Sequence, residues 1–269
     1  MDVLLDGLSF PECPRWHDGR LWFSDVLGGR ILTMRPDGTT EVVVELERPG
    51  GLGFDADGAL IALSSAKKPT LYRVTDGTAE PLADLSGVAR RTNDMVVDPR
   101  GFAYLDAHVR GDARIALCRP GSEPVVVAGG LGMPNGLAVT PDGSALLAAD
   151  TDLRCIHAFA IAADGRLGER TLWADLPGET PDGLCLDANG GAWVGSYACG
   201  EFIHVGAKGT VTDRVPANAP WATSCTLGGH DGRTLFGTTA DTTLERFFAG
   251  DSTGWIETTT VAVAGVGCP

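Results

Sequence analysis

Four side chains with oxygen donors, Glu12, Asn93, Asn135 and Asp182, recur at one offset in this chain. Each stands seven or eight residues before a glycine in a turn of the type Asp-x-x-Gly or Asp-Gly. Each also leads directly into a short hydrophobic stretch. The other two positions at this offset hold Gly51 and Ser224. Carboxylates and amide carbonyls are hard donors, and several together suit Ca²⁺, which takes oxygens at ~2.3–2.6 Å. Zn²⁺, Mg²⁺ and Mn²⁺ are the other divalent ions to weigh for such a site. A shared offset carries chemistry only if the intervening elements make it a shared place in space.

The turn glycines are 19, 58, 101, 143, 190 and 232, spaced by 39, 43, 42, 47 and 42 residues. A run of strand-forming residues follows each one. A period of ~40–50 residues with four short strands per unit is the signature of a β-propeller, and six units imply six blades. The expected fold is all-β: a six-bladed β-propeller with an axial metal site, one domain over residues 1–269. If the stretch after each offset position is the innermost strand, the four donors meet at one mouth of the central channel. Arg35-Pro36-Asp37-Gly38-Thr39 and Ala163-Asp164-Gly165-Arg166 read as hairpin loops between outer strands, and no segment reads as a long helix. The N-terminal Val3-Leu4-Leu5 is expected to add an outer strand to the blade completed by residues 255–263, closing the ring without a disulfide. One competing reading stands beside the site. Pro134-Asn135-Gly136 and Pro181-Asp182-Gly183 are also good turn sequences, with Gly supplying a positive φ. The offset common to all four residues favours the site.

A net charge of −14 and a pI near 4.6 disfavour nucleic acid and anionic membranes as partners. A small-molecule substrate is expected instead. The start of the chain holds two Asp in six residues and no basic run, so it does not read as a signal peptide. No apolar stretch reaches the ~18 residues of a spanning helix. Seven cysteines, at 13, 118, 155, 185, 199, 225 and 268, form no Cys-x-x-Cys pair. An odd, scattered set with several members inside hydrophobic strands points to reduced thiols and a cytoplasmic location.

Several motifs together resemble the SMP-30/gluconolactonase/luciferin-regenerating-enzyme family of six-bladed propellers. They are Pro11-Glu12-Cys13-Pro14-Arg15-Trp16, Arg91-Thr92-Asn93-Asp94, Pro134-Asn135-Gly136-Leu137, Pro181-Asp182-Gly183 and Ala222-Thr223-Ser224-Cys225, with the Gly265-Val266-Gly267 tail. The resemblance spans essentially the whole chain. It implies one divalent cation, commonly calcium, on Glu12, Asn135 and Asp182. It gives Asn93 an adjacent ligand or substrate-contact role and Arg91 a substrate contact. Arg91 lies two residues before Asn93, which in a strand would aim both to the same side. The chain departs from the family pattern at Cys13, which replaces a glycine. A thiol there either packs as a small apolar group or softens the site toward zinc. The short segment His108-Val109-Arg110-Gly111-Asp112 lacks the acidic lid of some sugar lactonases, which argues against a sugar-acid lactone.

The chemistry implied is hydrolysis by a metal-activated water, foremost of a lactone. Asp182 or Glu12 would serve as proton acceptor and Arg91 would steady the substrate oxygen. No Gly-x-Ser-x-Gly elbow or His-Glu-x-x-His motif offers another route. The alternatives are phosphotriester hydrolysis or a lyase or cyclase step on the same site, and a non-catalytic binding propeller. Of the five histidines, His108 is the candidate proton carrier at the pocket mouth, and the others read as surface or turn residues. Trp16, Trp22 and Trp193 read as filling between blades. Trp221, just before the sixth offset position, is a candidate lining residue that would favour an apolar or ring-bearing substrate.

Overall fold

The computed structural model describes residues 1–267 and forms six four-stranded sheets from 24 strands. This is a six-bladed β-propeller, nearly all β. Cys268 lies outside the described residues. The other six cysteines are free thiols. Five blades are built from consecutive strands. The sixth runs, from the axis outward, Trp221–Gly228, Thr234–Asp241, Thr253–Thr260 and then Asp2–Leu8 from the start of the chain. The N-terminal strand thus closes the ring by main-chain pairing, as its sequence suggests.

All six turn glycines adopt positive φ, between 69° and 79°. That region is strained for residues with a Cβ, so the repeat survives in the sequence as glycine. Where the turn begins with aspartate, the carboxylate does the folding. Asp55, Asp98 and Asp187 each accept two backbone N–H groups of their own turn. Between each pair of neighbouring blades lies a buried apolar layer, such as Leu21, Phe23 and Leu32 of blade one against Phe236 and Ile256 of blade six. Trp16 stacks on Phe236 at 5.3 Å, and Trp22 meets Phe54 edge-on. These layers fix the radial position of each inner strand.

Among the described residues helix is confined to two short turns, the 3-10 turn Tyr197–Cys199 and the α-helical turn Leu244–Phe248. Among the described residues no helix is long and apolar enough to cross a membrane. Two histidines depart from the expected surface placement. His157 is buried 3.6 Å from Asp150, and His204 pairs with Asp187 at 2.6 Å. His157 ties two strands of its blade together, and His204 ties its strand to the turn that begins at Asp187.

Candidate active site and cation site

Five of the six inner strands bulge at or next to the offset position. Strand pairing skips between Glu12 and Arg15, Pro49 and Leu52, Pro134 and Leu137, Pro181 and Leu184, and Ala222 and Ser224. A bulge bends a strand and re-aims its side chains, and here the repeated bulge turns Glu12, Asn135 and Asp182 toward one cavity. In blade three the inner strand Met95–Val97 begins only after Asn93.

The glycine of Pro-Asn-Gly and of Pro-Asp-Gly serves this geometry and makes no turn. Gly136 and Gly183 lie inside strands and not at positive φ. A Cβ on Gly136 would meet the Asp182 carbonyl oxygen at 2.3 Å, and one on Gly183 would meet Ser224 Oγ at 2.0 Å. Close approach of the next blade therefore selects glycine, and the turn reading of these tripeptides is overturned.

A cavity of about 430 Å³ at one end of the channel is lined by every residue singled out in the sequence: Glu12, Arg91, Asn93, His108, Asn135, Asp182 and Trp221. Arg91 and Asn93 do not share a continuous strand. Arg91 instead makes an isolated bridge to His108, whose N–H donates to the Arg91 carbonyl at 2.9 Å. At the other end the channel narrows around Arg15 and is stoppered by Gly265, Val266 and Gly267.

The cavity floor holds two buried acids. Glu12 and Asp182 are 3% and 7% exposed. Burial, then the Asp94 charge, pushes Glu12 up to about 8, against hydrogen bonds from the Cys13 N–H and Thr223 and the charge of Arg15. Burial, then Glu12, Asp94 and Asp106, pushes Asp182 well above the usual carboxylate range. Asp182 Oδ1 is buried with no hydrogen-bond partner. Asn93 Nδ2 donates to Asn135 Oδ1 at 2.8 Å, holding the two amides side by side.

These residues fit a hard divalent cation. An orphaned carboxylate oxygen beside a second buried acid is costly without a positive partner. Among the described residues no three His, Cys, Asp or Glu side chains gather for an ion. The donors at this floor are two carboxylates and two amides, with neither sulfur nor imidazole. Cys13 Sγ stands 3.9 Å from Glu12 Oε2, and burial followed by the Asp94 charge pushes its thiol well up, away from a zinc-binding thiolate.

Sequence reasoning missed the residues that hold these donors in place. Asp106 Oδ1 accepts from the Asn93 and Asp94 N–H groups, and its Oδ2 lies 2.7 Å from His108 Nε2. Asp25 and Asp150 clamp the segments before Glu12 and Asn135 in the same way, and Ser196 does so before Asp182. All four end the run of strand formers that follows a turn glycine, so the repeat carried a usable signal. Arg15 pairs with Asp94 at 3.1 Å beneath the floor. The rim residues Phe10, Tyr197 and Phe247 had no such signal.

A family model described as the SMP-30/Gluconolactonase/LRE-like region matches residues 10–241. The chain belongs to this family. It is 29% identical over 238 residues to the pentonolactonase XacC of Haloferax volcanii, covering 85% of this chain and 81% of that one. It is 28% identical to the 6-deoxy-6-sulfogluconolactonase of Pseudomonas putida, covering 84% and 81%. Among solved structures, the gluconolactonase XC5397 of Xanthomonas campestris superposes with a TM-score of 0.78 at 25% identity, over 96% of this chain and 89% of that one.

Proposed function

We propose that this chain is a metal-dependent lactonase that opens its substrate with water in the axial cavity. The cation is divalent, Ca²⁺ by its all-oxygen donors, on Glu12, Asp182, Asn135 and Asn93. The supporting observation is the pair of buried acids with raised proton affinity and one orphaned oxygen, in a chain whose relatives carry lactonase names. When bound, such an ion polarises a carbonyl and lowers the pKa of water.

The protein's own groups supply the rest. Glu12 or Asp182 takes a proton from the attacking water, which adds to the ring carbonyl. Arg91 reaches the cavity from its rim and steadies the oxygen that gains charge. The acyl C–O bond then breaks, and the ring oxygen leaves as a hydroxyl after taking that proton back from the acid. Asp106 orients the His108 ring over the same cavity, where it can carry outward the proton that the new carboxylic acid releases. The free thiols favour a reducing, cytoplasmic setting.

The test is turnover in ¹⁸O-labelled water. Label in the product carboxylate supports hydrolysis. Turnover without label would move the chain to a lyase or cyclase step. Arg91→Ala should weaken turnover while the protein keeps its metal.

A further inference from the structure

The cavity above the four donors has two unlike walls. Blades two and three supply the polar Ser65, Arg91, Asn93 and His108 beside Pro49 and Gly50. Arg48, just before blade two, lays its guanidinium 5.7 Å from the Phe247 ring centroid, where the two walls meet. Blades five, six and one supply a continuous run of aromatic rings. Phe10 packs on Phe247 with ring centroids 4.7 Å apart and meets Trp221 edge-on at 6.2 Å. Trp221 meets Tyr197 at 5.1 Å, and Phe247 meets Phe248 at 5.5 Å. The single helical turn Leu244–Phe248, inserted between two strands of blade six, brings Leu244, Phe247 and Phe248 to the cavity mouth. Phe248 and Leu244 are 64% and 58% exposed there. Large apolar side chains clustered at a cavity mouth lower their free energy when an apolar ligand covers them.

We propose that the substrate is a lactone bearing a hydrocarbon substituent, alkyl or aryl. Its ring ester lies over the four oxygen donors beside Arg91, and its substituent runs along the aromatic wall. The ester part rests on the lactonase reading above; the apolar wall does not. A bare small ring would leave much of the roughly 430 Å³ to water. A polyhydroxylated ring would turn hydroxyls toward a wall whose aromatic side chains offer only the Tyr197 hydroxyl and the Trp221 indole N–H. A hydrocarbon chain satisfies both walls at once.

The experiment compares kcat/KM, with calcium present, for δ-lactones carrying progressively longer alkyl chains and for glucono-δ-lactone. The expected result is a rise with chain length, at least ~10-fold across several methylenes. Phe247→Ala and Phe248→Ala, both in the inserted turn, should reduce that long-to-short ratio by ~10-fold or more, with circular dichroism confirming the fold. A preference for glucono-δ-lactone, rates independent of chain length, or a ratio untouched by both variants overturns the inference while leaving the lactonase reading in place. The matching δ-lactams, which do not open under these conditions, are titrated by calorimetry in parallel. Affinity that grows with chain length and weakens in Phe247→Ala upholds the apolar wall even where no lactone is hydrolysed. Lactams that do not bind, or bind without regard to chain length, refute it.

Discussion

Replacing Glu12 with glutamine removes a buried charge while keeping the side chain's shape, and its effect on stability should reverse with metal. In the metal-free protein Glu12 is pushed up from 4.5 to about 8. The sign follows from proton counting. Between those two values the folded state holds a proton that the unfolded chain has lost, so stability falls as pH rises. The stabilising protonated form is fully present below about pH 4.5, and the loss is complete above about pH 8. At ~1.4 kcal/mol per pH unit the full span is about 5 kcal/mol for this group. That is a large share of the ~5–15 kcal/mol that holds a domain together. Glutamine does not titrate. Metal-stripped Glu12→Gln should therefore match wild type near pH 4.5 and exceed it by several kcal/mol at pH 8. At ~2–4 °C per kcal/mol for a protein of this size, the gap in Tm approaches or exceeds ~10 °C. With saturating calcium the order should invert, because the variant has lost a ligand. Thermal unfolding followed by tryptophan fluorescence at both pH values, with and without calcium, reads all four states. A metal-stripped variant less stable than wild type at pH 8 would refute the burial argument.

Three further outcomes are expected. Asp182→Ala removes the carboxylate with the orphaned oxygen, and mass spectrometry should show metal content falling sharply from one ion per chain; unchanged stoichiometry would mean that the ion sits elsewhere. Gly183→Ala places a Cβ 2.0 Å from Ser224 Oγ and 2.7 Å from its Cα, so denaturant titration should show a loss of ~1–3 kcal/mol or more, whereas an unchanged midpoint would disprove the close approach of blades five and six. Cys13 holds a φ of 51°, a region that costs an L-residue ~1–2 kcal/mol, so Cys13→Gly should be tolerated within ~1 kcal/mol with activity kept, and lost turnover would give the thiol a role.

The propeller was legible because its turns leave a chemical mark. Asp55-Ala56-Asp57-Gly58 and its equivalents need a carboxylate to gather N–H groups and a glycine for positive φ, so the repeat is written in side chains. The four donors were legible for the same reason, at one step removed. Their meaning in Pro-Asn-Gly and Pro-Asp-Gly was ambiguous, since glycine for a turn and glycine for close packing look alike until Gly183 is seen against Ser224. The clamping role of Asp106 lay in the repeat but showed its purpose only once Asn93 and Asp94 were seen to precede the inner strand, with their N–H groups donating to Asp106. The aromatic wall was beyond reach. The turn Leu244–Phe248 is too short to show a helical period, and Phe10, Tyr197 and Phe247 belong to three blades with no shared offset. Arg91 and His108 were found, though their neighbourhood arises from an isolated bridge and not from one strand.

The central claim is that lactone opening depends on an ion at Glu12, Asn93, Asn135 and Asp182. It is tested most directly by stripping the protein of metal and adding calcium back in measured equivalents while following ring opening. The expected result is negligible hydrolysis in the stripped protein and full recovery that saturates at one ion per chain. Undiminished hydrolysis in the stripped protein, or no hydrolysis of any lactone at saturating calcium, would contradict it.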